Sequence, residues 1–289
     1  MTLSRLRSFL SLHLAVLLFG AAGVFGKYIA LSALSLVFGR TLFAALCLLP
    51  MMKLQTLKKS VNWYLSLVSG ALLAIHWLTF FASLHYAPVA FGLMGFATYP
   101  IFVAVLEPII LKSAWQRRDV LTAIMVVVGL IVMVSDTGWQ DGSLQGIGMG
   151  ALSGLSFALL TLSNRHQGEN ESSSQIAFVQ NAIACALLAP FAIYQGELLH
   201  VSVRTWVLLG VLGVVFTAVS HTLFAFSLKK ISAILVSVTA ALEPVYGMIL
   251  AYIVLGEVIQ TRTLLGAAIV LLTTTIATYF HTYSSNKIN

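Results

Sequence analysis

Charge is what this sequence has least of. Asp, Glu, Lys and Arg make up 9% of its 289 residues, where a soluble domain carries about 25%. With 59% hydrophobic residues and a mean hydropathy of +0.97, the chain has too little polar surface to cover its apolar bulk in water, so lipid is the expected solvent. Long polar linkers and low-complexity tracts are lacking too, which excludes an appended soluble domain within the chain. Only two cysteines occur, Cys47 and Cys185, both inside apolar runs. They read as buried thiols and exclude a disulfide framework. No His-Glu-x-x-His, paired-Cys, Gly-x-Ser-x-Gly or phosphate-cradling glycine motif is found, so no enzyme activity, metal or cofactor is expected. Without a nucleotide-binding motif, any work done must draw on a gradient.

What is present is a series of apolar runs of the length that spans a bilayer, about 20 residues as helix. Ten are read, at 9–29, 34–52, 62–85, 88–111, 119–136, 144–163, 174–195, 203–228, 231–255 and 262–282. The first continues past the small residues Ala21-Ala22-Gly23 to Ile29, so it is expected to be a span and not a cleaved leader. The formal charge of +7 is an orientation signal and no nucleic-acid surface. Twelve Lys and Arg residues fall on the side of the N-terminus and three on the far side, with Arg40 inside a span. An excess of this kind places both termini in the cytoplasm.

The chain repeats itself. At an offset of 144, Phe80 meets Phe224, Ser83-Leu84 meet Ser227-Leu228, Trp77 meets His221, Ala97 meets Ala241, and Pro100 meets Pro244. At an offset of 140, Phe38, Ala44, Leu48 and Pro50 meet Phe178, Ala184, Leu188 and Pro190. At an offset of 138, Phe19 meets Phe157 and Lys27 meets Arg165. Two repeats of five helices, over 9–136 and 144–282, must insert in opposite senses because five is odd. The expected fold is all-α and polytopic: ten transmembrane helices as two inverted repeats, with any site near midplane between them.

Glu243 sits at the centre of the ninth span, followed at once by Pro244. A carboxylate at that depth is costly and marks a functional site by default. It can exchange a proton or pair with a substrate amine, or it can serve a helix break mechanically. Pro100 and Pro244 are read as kink or gating positions. Arg40 and Lys27 are candidate charge or coupling residues; each can attract a carboxylate or brace helix-end carbonyls. His76, Trp77, Phe80 and His221 are candidate cavity residues, Tyr99 and Tyr246 candidate hydroxyl-bearing walls; packing is the competing reading for the aromatic face. Glu107, before Pro108, is read as interfacial. Gly20, Gly23 and Gly26, with Gly146, Gly150 and Gly154, are expected to mark close helix packing, and the small residues from Gly266 onward offer a homodimer surface.

The Glu243-Pro244 pair with Glu257 and Gly266-Ala267 resembles the EamA-domain members of the drug/metabolite transporter superfamily. So do Phe19-Gly20 with Lys27, and Arg40-Thr41-Leu42-Phe43-Ala44. The resemblance implies a secondary transporter of small solutes in the bacterial inner membrane, with amino-acid or related metabolite export foremost. A nucleoside, nucleotide-sugar or drug carrier comes second. An intramembrane enzyme or a cavity-free scaffold are the readings from other classes. In the first half Leu111-Lys112-Ser113 stands where the second has Leu255-Gly256-Glu257, so a role for Glu257 need not be symmetric.

Overall fold

The computed structural model describes residues 3–26, 28–52, 61–87, 89–134, 141–256 and 259–286. Helices account for the regular structure among these residues: α1 (Leu3–Gly26), α2 (Ala33–Leu48), α3 (Trp63–Tyr86), α4 (Val89–Phe96), α5 (Tyr99–Ile110), α6 (Arg117–Val134), α7 (Ser143–Gln167), α8 (Ser173–Gln195), α9 (Val203–Gly213), α10 (Ser220–Ser227), α11 (Ala233–Ala240), α12 (Glu243–Leu255) and α13 (Thr261–Asn286). Short 3-10 turns follow α2 and α8, and a π-helical stretch, Val214–Val219, joins α9 to α10.

Ten helical stretches occupy the ten expected positions. Among the described residues, nine of them are long and apolar enough to cross a bilayer. The tenth, α6, opens on Arg117, Arg118 and Asp119 and leaves a shorter apolar run. The protein is a multi-pass, all-helical membrane protein. The fourth and ninth spans are each two helices, α4–α5 and α11–α12, where the sequence read one.

The pairing of helices reveals the repeat. α3 packs on α7, and their counterparts α10 and α1 pack on each other. α7 holds α4 and α5 as α1 holds α11 and α12, while α2 meets its own counterpart α8, and α6 meets α13. The helix starts carry the same symmetry. Ser32 and Ser172 cap α2 and α8 by accepting the Ser35 and Gln175 N–H groups; Asn62 and Ser202 cap α3 and α9 by accepting those of Leu65 and Thr205. Both pairs lie 140 residues apart, and each cap contributes about 1 kcal/mol. The prolines of the 140 offset part company. Pro50 sits in the turn that ends its helix, whereas Pro190 lies inside α8.

Close approach depends on glycine, though at fewer positions than expected. A Cβ on Gly20 would lie 2.7 Å from the Glu243 carbonyl oxygen and 2.8 Å from the Gly247 nitrogen. Cβ atoms on Gly95 and Gly150 would run into the facing backbones of α7 and α4. Gly146 and Gly154 are also in tight contact, but Gly23 and Gly26 face open space. Spacing alone cannot separate a packed glycine from one turned toward lipid.

Candidate functional site

The two broken spans bring backbone irregularity to the centre of the molecule. α4 ends at Phe96 and α5 begins at Tyr99; α11 ends at Ala240 and α12 begins at Glu243. Pro100 and Pro244 each occupy the first turn of the second half-helix, where a missing N–H costs nothing because no carbonyl precedes it in the helix. The prolines therefore start new helices and do not bend continuous ones. An apolar cavity of about 30 Å³ lies against both breaks, lined by Phe96, Ala97, Tyr99, Pro100, Ala241 and Pro244 among others.

Beside it is a second cavity, of about 20 Å³, lined by Phe19, His76, Trp77, Phe80, Phe96, Phe157, His221 and Glu243. This is room for a single water. The site is thus largely filled by its own aromatic side chains. The His76 ring stacks on Phe157 at 4.6 Å between centroids, and its Nδ1 lies 2.9 Å from the Ser153 hydroxyl. His221 meets Phe19 edge-on at 5.3 Å and Trp77 at 6.0 Å. The Trp77–His221 pairing is the sequence repeat made spatial: residues matched at an offset of 144 face each other across the pseudo-two-fold. Both keep a polar atom unspent, since Trp77 Nε1 and His221 Nε2 are buried without a hydrogen-bond partner among the described residues.

Arg40 stands behind Trp77. Its side chain is 1% exposed, with the guanidinium carbon 3.5 Å from the indole centroid, a contact that strengthens when desolvated. Nε donates to the Thr217 hydroxyl at 3.0 Å and an Nη donates to the Phe216 carbonyl at 3.3 Å. Both acceptors belong to the π-helical stretch. A π-turn shifts the backbone register, and here the Phe216 carbonyl accepts from both Arg40 and, at 2.8 Å, the Ser220 hydroxyl. Thr217 in turn donates to the Leu212 carbonyl at 2.9 Å. Gly213 lets α9 approach α2 here, since a Cβ on it would lie 2.8 Å from the Arg40 carbonyl. Arg40 is therefore braced by the π-stretch, with α9 packed against its backbone.

His76, Trp77, Phe80, His221 and Glu243 come together, with Arg40 adjoining them. The two tyrosines do not join them. Tyr99 is 2% exposed, its hydroxyl 2.9 Å from the Thr161 hydroxyl and its ring stacked on Phe96, so it walls the apolar cavity. Tyr246 is half-buried and places its hydroxyl 3.0 Å from His13 Nδ1 on α1. Lys27 and Glu257 lie outside the described residues. Glu107 is buried against a neighbouring helix: it is 9% exposed and accepts from the Ala233 and Ile234 N–H groups at 3.0 and 2.8 Å. The sequence did not show that α11 begins beside it and supplies bare N–H donors.

The sequence reading missed Phe19, Phe96, Phe157, Ser153 and Thr217. Phe19 and Phe157 carried a signal, since they pair at an offset of 138, and both line the cavity. Nothing in the composition of Val214–Val219 announces a π-helix. Among the described residues, no three His, Cys, Asp or Glu side chains converge to hold a metal ion.

The chain has relatives among known proteins. The model of the EamA-like transporter family matches residues 6–135 and 144–279. Two uncharacterized transporters of Archaeoglobus fulgidus are similar. One is 25% identical over 258 residues, covering 89% of this chain and 91% of the relative. The other is 28% identical over 245 residues, covering 83% and 86%. The uncharacterized transporter YwfM of Bacillus subtilis is 23% identical over 222 residues, 74% of this chain and 73% of that one. A protein crystal structure with 16% identity superposes with a TM-score of 0.79 over 96% of both chains, which supports the fold. Together with the two matched repeats, these findings place the chain in the EamA-like transporter family of the drug/metabolite transporter superfamily, a transporter of small solutes.

Proposed function

We propose that the protein exports amino acids or related small zwitterions across the inner membrane by alternating access, with both termini cytoplasmic. The observation that carries this reading is the central cavity itself. It combines an acid, Glu243, with unspent polar atoms on Trp77 and His221 and the Arg40 cation behind the indole. An acid on an aromatic cavity wall, with a cation one ring behind that wall, suits a small solute that bears both an amine and a carboxylate. The amine would meet Glu243, and the carboxylate would meet the donors of the Trp77 and Arg40 side. A cavity of about 20 Å³ holds no such solute, so binding requires the halves to part, and the helix breaks at Ala97–Thr98 and Ala241–Leu242 supply backbone that can give. Glu243 is also the coupling candidate, as a carboxyl that can exchange a proton at midplane.

The test is flux in proteoliposomes loaded with a panel of amino acids, nucleosides and cationic dyes, with and without a pH gradient. Saturable amino-acid flux that responds to the gradient is expected. Flux of nucleosides or dyes alone would replace the zwitterion reading with another carrier of the superfamily.

A further inference from the structure

The site does not use a second pair of charges, the buried Glu107 and the half-buried Arg165, which lie toward the face that carries Lys112, Arg117 and Lys230. Glu107, near the end of α5, holds the first two N–H groups of α11, at Ala233 and Ile234. Arg165, near the end of α7, donates to the Leu228 carbonyl and, at 2.8 Å, to the Ile231 carbonyl. The link between α10 and α11 is thus gripped at both ends, its carbonyls by a base and its following N–H groups by an acid. Leu228 and Ile231 of this link are themselves buried, and Lys229 ties it to the Glu171 carbonyl at 2.7 Å. Hydrogen bonds with an ionised partner are roughly twice as strong as neutral ones.

The acid half of the grip is one-sided: at an offset of 144 the residue matching Glu107 is Ala251, whereas Arg165 has a basic match in Lys27 at an offset of 138. Toward the opposite face, closure comes from glycine contacts, Gly20 against α12 and Gly95 and Gly150 between α4 and α7. The eight residues of α11 are all buried and run straight from the grip to the break before Glu243. Moving the start of α11 therefore moves the break on which Glu243 follows.

We infer that Glu107 and Arg165 form a releasable clasp that holds the basic face closed and sets the depth of Glu243 through α11. Both are positioning residues and touch no solute. The inference rests on the alternating-access reading above. Opening the basic face requires the clasp to release; opening the other face does not.

Single cysteines on a background lacking Cys47 and Cys185 test it, with no transported solute needed. Ala104→Cys places a thiol on the buried side of α5, one turn before Glu107, and Val37→Cys places one on α2, one turn before Arg40. A membrane-impermeant maleimide is added to vesicles of each orientation. Glu107→Gln can accept only one of the two N–H groups and should speed labelling at residue 104 from the basic face on the order of tenfold, without speeding it at residue 37. Arg165→Gln should act in the same direction and decides the matter if Glu107→Gln does not fold. Equal acceleration at both cysteines would mean general loosening and would overturn the clasp, as would unchanged rates at both. Failure of the parent reading looks different: in the clasp-intact protein, saturating amino acids would leave both labelling rates unmoved.

Discussion

Glu243 and Arg40 divide the charge at the centre of the protein, and their surroundings separate their roles. Arg40 is bonded to the π-stretch and stacked on Trp77, so its first task is to hold other groups in place. Arg40→Lys would keep the charge but lose the planar fork and much of the indole contact. A loss of about 2–3 kcal/mol is expected, from hydrogen bonds to a buried charged group, read as a lower unfolding temperature in detergent. Glu243 carries the solute or the proton in the proposed mechanism. Glu243→Gln, His76→Ala and Trp77→Ala should each reduce flux at least tenfold while lowering the folded yield less; flux and gel-filtration yield measured together separate the two. The sequence made these residues legible because a charge or imidazole in a long apolar run stands out. It hid the ring cage, because phenylalanine in such a run is unremarkable until the fold shows which faces converge.

At the scale of the element, the informative contrast is between residues of one type. Gly148 has no neighbour within 4 Å of an added Cβ, whereas Gly150 would meet the backbone of α4. Gly148→Ala should leave the folded yield unchanged, and Gly150→Ala should reduce it severalfold by forcing α7 from α4. Two loop acids make a similar contrast. Partial burial would raise the Glu197 carboxyl, but the Ser32 and Ser35 side chains and the Ser32 N–H outweigh it and hold it below the usual carboxylate range. Burial raises Glu171 above that range, against the Asn62 N–H, Gln167 and Lys229. The signs are opposite. The stability due to Glu197 is present above the ordinary carboxylate range and is lost as pH falls through its lowered value. Glu171 gains stability by taking up a proton, so its stabilisation grows as pH falls through its raised value and is lost as pH rises. Unfolding temperatures followed across acid pH should show Glu171→Gln removing the upper dependence and Glu197→Gln the lower. The helix starts at Ser32, Asn62, Ser172 and Ser202 were not read from the sequence, although each carries a capping residue type. Nor were the span breaks at Ala97 and Ala241, because the proline marks a break and a kink alike.

For the whole molecule, the repeat explains most of the architecture. Helices exchange partners under the pseudo-two-fold, and the fold could be anticipated from matched residues such as Pro100 with Pro244 and Phe19 with Phe157. What departs from symmetry is functional in the proposed scheme: Glu243 opposite Tyr99, and Glu107 opposite Ala251. Matching half against half exposed those departures, but only the three-dimensional arrangement showed that Glu107 reaches across to α11 and that α11 leads to Glu243. The central claim is that solute moves through the central cavity and that Glu243 controls it. Counterflow of radiolabelled amino acid in proteoliposomes, comparing the wild type with Glu243→Gln under an imposed pH gradient, tests it most directly. The account predicts saturable, gradient-responsive exchange in the wild type and its loss in a folded Glu243→Gln protein. Equal exchange by the two proteins, with the same response to pH, would contradict it.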